Sequence, residues 1–245
     1  MTNPFREVTY QPHAEPTLAQ KGQLVLPDPS LHGPGPYPAV MICHAWMGQG
    51  EFERDKARAL AGLGYVAMAA DVYGGGTVAS DASSAAALMH PLVADRLKLR
   101  GRLIAGVAAL RAQPEVDKTK IAAIGFCFGG LCVLELARTG IDISAVVAFH
   151  GLLHRGDLPT ASRISARVLV EHGWDDPMAP PAHVVALGAE LTTAKAHWNL
   201  HAHGGVVHAF TNPEARDRNG GLQYDADADR RSWVSMRDWL IDAFG

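Results

Sequence analysis

Cys127 lies in the run Ile121–Gly130, IAAIGFCFGG, between an apolar β-branched segment and the helix-like segment Leu131–Arg138. A strand, a sharp turn with a nucleophile at its apex and a helix are typical of a nucleophile elbow, here with Cys in place of Ser. The turn predicts a strained backbone at the cysteine, and Gly125 and Gly129 would leave room where a Cβ would collide. The helix N-terminus favours thiolate over thiol, so the pattern predicts a nucleophile. A buried structural cysteine is the alternative.

Two later segments offer the base and the orienting acid that a thiol nucleophile needs. The segment Gly173–Pro180, GWDDPMAP, contains Asp175 and Asp176, and we prefer Asp176 because it directly precedes a proline. The segment Gly204–Phe210, GGVVHAF, contains His208. Turn formation or helix capping would explain the aspartates taken alone, and a single histidine is more often a surface or core residue. The order cysteine, acid, histidine, each after a predicted strand, indicates a Cys-Asp-His triad.

Acyl chemistry at a cysteine also requires two backbone N–H groups that stabilise a negatively charged oxygen. One is expected from Phe128, directly after the nucleophile. The other is expected from the loop after Ala39–Cys43, at Trp46 or its neighbour Ala45, although a tryptophan here would also be explained by packing. Histidines that follow strands could contact a substrate, or could be polar loop residues without a catalytic role. The residues expected at the substrate pocket are His44, Ala45, Tyr73 and His150.

The elements that must position these residues alternate along the chain. Short apolar runs predict strands at Val8–Tyr10, Gln23–Leu26, Ala39–Cys43, Tyr65–Ala70, Ile121–Gly125, Ala145–Phe149, Arg167–Glu171 and Ala196–His203. Helical periodicity predicts helices at Glu53–Leu63, Ser83–Met89, Val93–Arg111, Leu131–Arg138, Pro181–Leu191 and Asp229–Phe244. This alternation predicts an α/β fold, with a mostly parallel central sheet and helices on both faces, in a single domain over residues 1–245.

Local signals add detail to these elements. Pro91 is expected to interrupt the helical pattern around it. Lys98, Arg100 and Arg102 are expected to form a solvated helix face, although an anion site is an alternative. The segment Asp71–Gly76 ends in three glycines and is expected to be a mobile loop.

Neither a metal nor an organic cofactor is expected. Three histidines alternate on one predicted strand and would share a face, but no cysteine or carboxylate completes the set; they are His197, His201 and His203. The run Asp225–Asp229 resembles the beginning of a calcium loop but lacks the later glycine and glutamate. Asp229 is instead expected to cap the closing helix. The glycines Gly74–Gly76 lack the spacing of a dinucleotide site.

Composition narrows the class of protein. The chain has 245 residues, 48% of them hydrophobic, and a net charge of −3. These values are ordinary for a globular protein, and they give no electrostatic reason to expect nucleic-acid binding. The three cysteines cannot all pair, which favours a reducing compartment and a cytoplasmic location. No apolar run reaches about 18 residues and the first residues lack a signal-peptide pattern, so neither membrane insertion nor secretion is expected.

The segments GFCFGG at 125–130, GWDDPMAP at 173–180 and GGVVHAF at 204–210 together resemble the dienelactone hydrolase family, a branch of the α/β-hydrolase fold with a cysteine nucleophile. The resemblance extends from the strand before His44 to the last helix. It implies hydrolysis of small esters or lactones without metal or organic cofactor. In that reaction Cys127 would be the nucleophile, His208 the base and Asp176 the orienting acid. The expected partner is a small-molecule ester or lactone, and the chain is expected to be a monomer or small homo-oligomer.

Two departures from the best-known members of that family bear on substrate choice. A glutamate that holds the resting thiol in those members is replaced here by Ala45. Two arginines that grip a substrate carboxylate are replaced by Gly75 and Asn212. Because such a clamp supplies binding energy and orientation, we expect a neutral or differently held ester or lactone rather than dienelactone. Acyl transfer or dehalogenation by the same triad, and a non-catalytic binding protein, are the alternatives.

Overall fold

The computed structural model describes residues 4–245. The chain forms two compact units, the first ending at Ala123 and the second beginning at Ile124. The expectation of a single domain over residues 1–245 stays a prediction.

Strands and helices of the first unit follow the predicted alternation. In order, its elements are β1 (Arg6–Tyr10), β2 (Gln20–Val25), α1 (Pro29–His32), β3 (Tyr37–Cys43), α2 (Glu51–Ala61), β4 (Val66–Ala70), α3 (Ala82–Ala94), α4 (Arg96–Arg111) and the greater part of β5 (Val116–Phe126). The strand order is β1-β2-β4-β3-β5. Strands β3 and β4 are parallel, with Ala39 opposite Val66, whereas β2 is antiparallel to both β1 and β4. The predicted strands are confirmed, with somewhat different ends.

The two parallel strands of this unit are buried along nearly their whole length. Residues Ala39–Cys43 and Val66–Ala69 have no exposed surface. A strand that is covered on both faces is apolar at every position, which explains the continuous apolar runs in the sequence. The buried strands give fixed starting points to the loops that follow them, His44–Gly50 and Asp71–Gly76.

Helix α3 passes through Pro91, so the prediction of an interruption there is wrong. The chain leaves the helical path at Asp95 instead. The Asp95 carboxylate accepts the Lys98 N–H at 2.9 Å and so caps α4. The long helix therefore begins at Arg96 rather than at the expected Val93.

Two buried charged side chains hold the loop after β4, which the sequence suggested to be mobile. The Arg102 guanidinium donates to the Tyr73 carbonyl at 2.7 Å and also binds both carboxylate oxygens of Glu15. The Asp71 carboxylate accepts the Gly74 N–H at 2.7 Å and two further backbone N–H groups. Arg102 is only 8% exposed, so the prediction of a solvated face is wrong for this residue.

The second unit carries the predicted nucleophile, acid and histidine. It contains the end of β5, then α5 (Phe128–Arg138), β6 (Ala145–Phe149), β7 (Arg167–Gly173), α6 (Pro181–Thr193), β8 (Trp198–His203), β9 (Arg216–Asp217), β10 (Leu222–Gln223) and α7 (Ala226–Phe244). The strand order is β5-β6-β7-β8, and β9 and β10 form a separate hairpin. Strand β7 is parallel to both neighbours, with Val168 opposite Val146 and Trp198. Parallel strands place their carboxyl ends at one edge, where ligands usually bind.

The closing helix begins earlier than predicted. The Asp225 carboxylate accepts the N–H groups of Asp227 and Ala228 at 3.1 and 2.9 Å, so Asp225 caps α7 and the prediction of Asp229 is wrong. In residues 4–245 we find no helix whose length and apolar character would let it span a membrane.

Candidate active site

Cys127 lies at a strained turn between β5 and α5. Its backbone angles, φ 55° and ψ −114°, fall in a region that residues with a Cβ rarely adopt. The Cys127 N–H donates to the Phe149 carbonyl at 3.1 Å, and its carbonyl accepts the Gly130 N–H at 3.0 Å. The side chain is partly exposed at the N-terminus of α5, where the helix dipole favours a negative charge. The predicted strained elbow is confirmed.

Glycines allow the close backbone approach at this turn. A Cβ on Gly125 would overlap the Gly129 carbonyl, which confirms the predicted need for glycine at 125. The requirement for glycine at 129 stays a prediction. A Cβ on Gly130 would lie 2.6 Å from the Gly151 Cα, a distance that backbone atoms cannot tolerate. This second close approach, between α5 and the turn after β6, was not predicted from the sequence.

His208 and Asp176 are in direct contact. Nδ1 of His208 lies 2.7 Å from Oδ2 of Asp176, and the two residues are 1% and 2% exposed. The other carboxylate oxygen accepts the Met178 N–H at 2.8 Å. Asp175, in contrast, is exposed, and its backbone N–H donates to the Val206 carbonyl. The structure therefore brings Asp176, and not Asp175, to the histidine.

Charge at Cys127 and Asp176 controls the protonation of His208. Burial alone would lower the pKa of His208, but the negative charge of Cys127 and the hydrogen bond to Asp176 outweigh burial and raise the pKa to about 10. Nε2 of His208 is buried and has no hydrogen-bond partner of good geometry within residues 4–245. We infer that Cys127 acts on the ring mainly through its charge. A protonated imidazole at neutral pH can serve as a proton donor.

The β9–β10 hairpin fixes the backbone of His208. The His208 N–H donates to the Gly221 carbonyl at 3.0 Å, and its carbonyl accepts the Gln223 N–H at 3.1 Å. This hairpin was not predicted from the sequence. Its signal was the pair Asn219-Gly220, because Asn-Gly between two short extended segments is typical of a hairpin turn.

His150 packs beside His208 in the interior. The two rings meet edge to face, with centroids 5.1 Å apart, and His150 is only 2% exposed. Its Nε2 lies 2.8 Å from the Oγ1 of Thr211, which is also buried. These contacts support a role in holding the His208 ring. The expected contact between His150 and substrate stays a prediction.

In the first unit, a buried carboxylate holds the loop after β3. Oε1 of Glu53 accepts the Ala45 N–H at 3.1 Å, and Oε2 accepts the Gly50 N–H at 2.8 Å. The Ala45 amide is therefore occupied, which leaves Trp46 as the candidate for an oxyanion donor in this loop. This role of Glu53 was not predicted from the sequence, although a glutamate three residues after a helix cap is the signal of a capping box.

His44 and Tyr73, both expected at the substrate pocket, have buried side chains. They are 0% and 5% exposed, and their ring centroids lie 4.5 Å apart. The Tyr73 hydroxyl donates to the Trp46 carbonyl at 2.7 Å, so it braces the loop after β3. Ala45 is partly exposed. Direct substrate contact by any of these residues stays a prediction.

Two of the three histidines with metal-like spacing contact the Glu171 carboxylate, so the expectation that no carboxylate accompanies them is wrong. Nδ1 of His201 lies 2.9 Å from Oε1 of Glu171, and Nε2 of His203 lies 3.0 Å from Oε2. His197 packs its ring against Trp239. Within residues 4–245 no group of three histidine, cysteine or acidic side chains is arranged to hold a metal ion.

Comparison with known proteins assigns the family. The sequence pattern of the dienelactone hydrolase family matches residues 22–244. The chain belongs to the dienelactone hydrolase family. A dienelactone hydrolase-like promiscuous phosphotriesterase from metagenomic libraries, P91, is 39% identical over the full length of both chains, with a TM-score of 0.92. A second structure, named m3DLH, is 37% identical over both full lengths, with a TM-score of 0.91. An uncharacterised protein of Caenorhabditis elegans is 38% identical over 60% of this chain and 95% of its own length.

Membership of the dienelactone hydrolase family confirms two predictions made from the sequence. The chain has the α/β-hydrolase fold, with a mostly parallel sheet, and it is a hydrolase. Gly75 and Asn212, which are expected from the sequence to replace two arginines of the family, both lie in loops. The Gly75 N–H donates to the Ala19 carbonyl, and Oδ1 of Asn212 accepts the Glu214 N–H.

Proposed function

We propose that this member of the dienelactone hydrolase family cleaves small esters or lactones through a thioester on Cys127, with His208 as base and Asp176 as orienting acid. The observation that carries the proposal is the buried pair of His208 and Asp176, 2.7 Å apart, with a pKa of His208 raised by the charge of Cys127. A base held by an acid and electrostatically coupled to a thiolate is the arrangement that activates a cysteine.

The first half of the proposed reaction forms the thioester. The Cys127 sulfur forms a bond to the carbonyl carbon, and the carbonyl oxygen takes up the negative charge. The backbone N–H groups of Phe128 and Trp46 are proposed to stabilise this oxyanion. When the intermediate collapses, the bond between carbon and alkoxide oxygen breaks, and Nε2 of protonated His208 gives its proton to the leaving alkoxide.

The second half releases the acid. Neutral His208 takes a proton from water, whose oxygen forms a bond to the thioester carbon. The bond between carbon and sulfur then breaks, which restores the Cys127 thiolate beside protonated His208. Asp176 stabilises that protonated state through its hydrogen bond to Nδ1.

Leaving-group chemistry narrows the proposed substrates. A thiolate leaves the tetrahedral intermediate easily, so productive attack requires an alkoxide that leaves at least as easily. Activated esters and enol-lactones satisfy this requirement, whereas amides do not. Gly75 and Asn212 offer no positive charge to a substrate carboxylate, so we propose a neutral ester or lactone rather than dienelactone.

Replacing the nucleophile tests the proposal. The parent chain should hydrolyse p-nitrophenyl acetate, and Cys127→Ala should lose this activity by at least about 10³-fold. Cys132→Ala is the matched control, because Cys132 is a buried cysteine on α5 that plays no part in the proposed chemistry. Ester hydrolysis that persists in Cys127→Ala would refute the assignment.

Phosphotriester hydrolysis is a second candidate function. It is suggested by P91, a promiscuous phosphotriesterase that is similar to this chain over the full length of both proteins. Assaying an aryl phosphotriester beside the aryl ester would show whether the chain hydrolyses esters alone or phosphotriesters as well. We also propose a cytoplasmic location, because reducing surroundings would protect a catalytic thiolate from oxidation.

A further inference from the structure

Backbone strain is concentrated around the proposed base, His208. Four residues other than glycine have a positive φ in residues 4–245, and three of them, Cys127, His150 and Ala209, belong to this region. The angle of 55° at Cys127 is explained by the nucleophile elbow. The angle of 37° at His150 is equally unusual for a residue with a Cβ. Such strain persists only where surrounding contacts impose it, so the backbone of His150 is held in a costly conformation that directs its side chain.

Contacts at both ends fix the side chain of His150. Its backbone N–H donates to the Glu171 carbonyl at 2.8 Å, and its Nε2 lies 2.8 Å from the Oγ1 of Thr211. Both His150 and Thr211 are buried. The ring of Phe210 meets the His150 ring edge to face, with centroids 5.0 Å apart. The His150 ring therefore cannot turn without breaking a buried hydrogen bond, which is costly.

The fixed ring of His150 packs against the ring of His208. The centroids are 5.1 Å apart and the planes meet at 67°. Asp176 also holds His208, through a contact of 2.7 Å to Nδ1. A single hydrogen bond fixes one atom of a ring and leaves the plane of the ring free to tilt about that atom. Because His150 lies against the ring, it opposes the tilt and sets the direction in which Nε2 points.

The charge of Cys127 acts on His208 in only part of the proposed reaction. Burial lowers the pKa of His208, and the charge of Cys127 is the largest of the interactions that raise it. In the thioester the sulfur is bonded to carbon and carries no charge, and His208 has already given its proton to the alkoxide. The neutral ring then loses this attraction, whereas the contacts with Asp176 and His150 do not depend on the charge of the sulfur.

We propose that His150, anchored by Thr211, is a positioning residue that holds the His208 ring in place while Cys127 carries the acyl group. The inference rests on the proposed function, and it assigns His150 a role different from the substrate contact expected from the sequence. In the step concerned, the oxygen of water forms a bond to the thioester carbon and a water proton passes to Nε2 of His208. The bond between carbon and sulfur breaks, which releases the carboxylic acid and restores the thiolate.

Three variants separate the ring from its anchor. His150→Leu removes both the ring and the hydrogen bond to Thr211. Thr211→Val removes the anchoring hydroxyl from a side chain of nearly the same shape and leaves the His150 ring. Thr211→Ser keeps the hydroxyl and is the matched control for Thr211→Val. Circular dichroism checks that each variant folds like the parent.

The experiment measures formation and hydrolysis of the thioester separately, with p-nitrophenyl acetate as substrate. The first-turnover release of p-nitrophenolate gives the rate of formation. The decay of acetyl-Cys127 after the substrate is exhausted, followed by mass spectrometry of acid-quenched samples, gives the rate of hydrolysis. Alkylation by iodoacetamide reports the resting thiolate in the same variants.

Slower thioester hydrolysis is the expected result. In His150→Leu its rate should fall roughly 10- to 100-fold, part of the contribution of a general base. In Thr211→Val it should fall about three- to tenfold, the effect of one lost hydrogen bond, and Thr211→Ser should recover to within about twofold of the parent. Thioester formation and alkylation should stay parental, because p-nitrophenolate leaves without a proton and the thiolate still attracts protonated His208.

The other outcomes overturn the inference. Parental thioester hydrolysis in His150→Leu, or equal slowing of hydrolysis and alkylation, would mean that His150 supports the structure alone. If His150→Leu does not fold, the threonine variants decide, and equal rates of thioester hydrolysis in Thr211→Val and Thr211→Ser would refute the anchor. Failure of the proposed function gives a different result, because the parent would then form no acetyl-Cys127 or Cys127→Ala would remain active.

Discussion

Replacing Asp176 with asparagine probes the buried pair on which the proposed chemistry depends. The Asp176 carboxylate binds Nδ1 of His208 at 2.7 Å and the Met178 N–H at 2.8 Å, with almost no exposed surface. Asparagine preserves the size of the side chain but removes its charge. Its NH₂ group can occupy the place of Oδ2 and donate to Nδ1, which would leave the neutral histidine with its hydrogen on Nε2. A histidine in that tautomer cannot accept a proton at Nε2.

The size of the effect follows from these contacts. A hydrogen bond to a charged group contributes about 1.5–3 kcal/mol, which corresponds to roughly 10- to 150-fold in rate. The wrong tautomer adds to this loss, and the comparable substitution in a Ser-His-Asp triad costs about 10⁴ in kcat. We therefore expect kcat of Asp176→Asn to fall by roughly 10²- to 10⁴-fold, with a smaller change in KM.

The assay measures p-nitrophenyl acetate hydrolysis and the alkylation of Cys127 by iodoacetamide from about pH 5 to 10. Losing the carboxylate removes one of the interactions that raise the pKa of His208, so alkylation near neutral pH should slow as well. Asp175→Asn is the matched control, because Asp175 is the neighbouring aspartate but is exposed. It should stay within about twofold of the parent in both measurements. A parental kcat in Asp176→Asn, or an equal loss in Asp175→Asn, would refute the reasoning.

Two further predictions concern stability. The raised pKa of His208 stabilises the folded chain fully below about pH 6.5, and this contribution is lost as the pH rises through about 10. Urea unfolding at pH 6 and 10 should show that the free energy of unfolding falls more between these pH values in the parent than in Cys127→Ser, which lacks the thiolate charge. Equal falls in the two proteins would contradict this. Gly130→Ala should lower the free energy of unfolding by about 1–3 kcal/mol, because its Cβ would lie 2.6 Å from the Gly151 Cα. Gly101→Ala, with open space around it in α4, should be neutral or stabilising by up to about 1 kcal/mol, and a similar result for both glycines would contradict the packing argument.

The parts of the fold that depend on burial were predictable from the sequence. The runs at β3, β4 and β6 are apolar at nearly every position because both faces are covered, which is the pattern of a buried parallel strand. Helix ends were less predictable, because several local signals compete there. Pro91 and Asp95 both indicate a break between α3 and α4. The chain breaks at Asp95, because its carboxylate accepts the Lys98 N–H, which has no backbone acceptor at the start of α4. At α7 the aspartates Asp225 and Asp229 competed in the same way.

The candidate site likewise has features that could be predicted from the sequence and features that could not. Cys127, Asp176 and His208 could be predicted because each follows a strand in a recognisable order. Some of the contacts that hold the loops could not be predicted, because the partners are distant in sequence. Arg102 binds Glu15, 87 residues away, and so fixes the loop after β4. No periodicity or motif spacing encodes such a contact, which forms only when the chain folds.

The positions of the residues explain how the substrate could change while the buried acid and histidine stay the same. The acid and the histidine follow parallel strands of the second unit, β7 and β8, and both are buried. Changing either would leave a buried polar group without its partner, which is costly. Gly75 and Asn212 lie in loops, and neither carries a charge whose loss would disturb the interior. Substitutions in such loops can therefore change the bound substrate while the buried groups stay in place. Family membership thus identifies the chain as a hydrolase, and we propose that the loops decide its substrate.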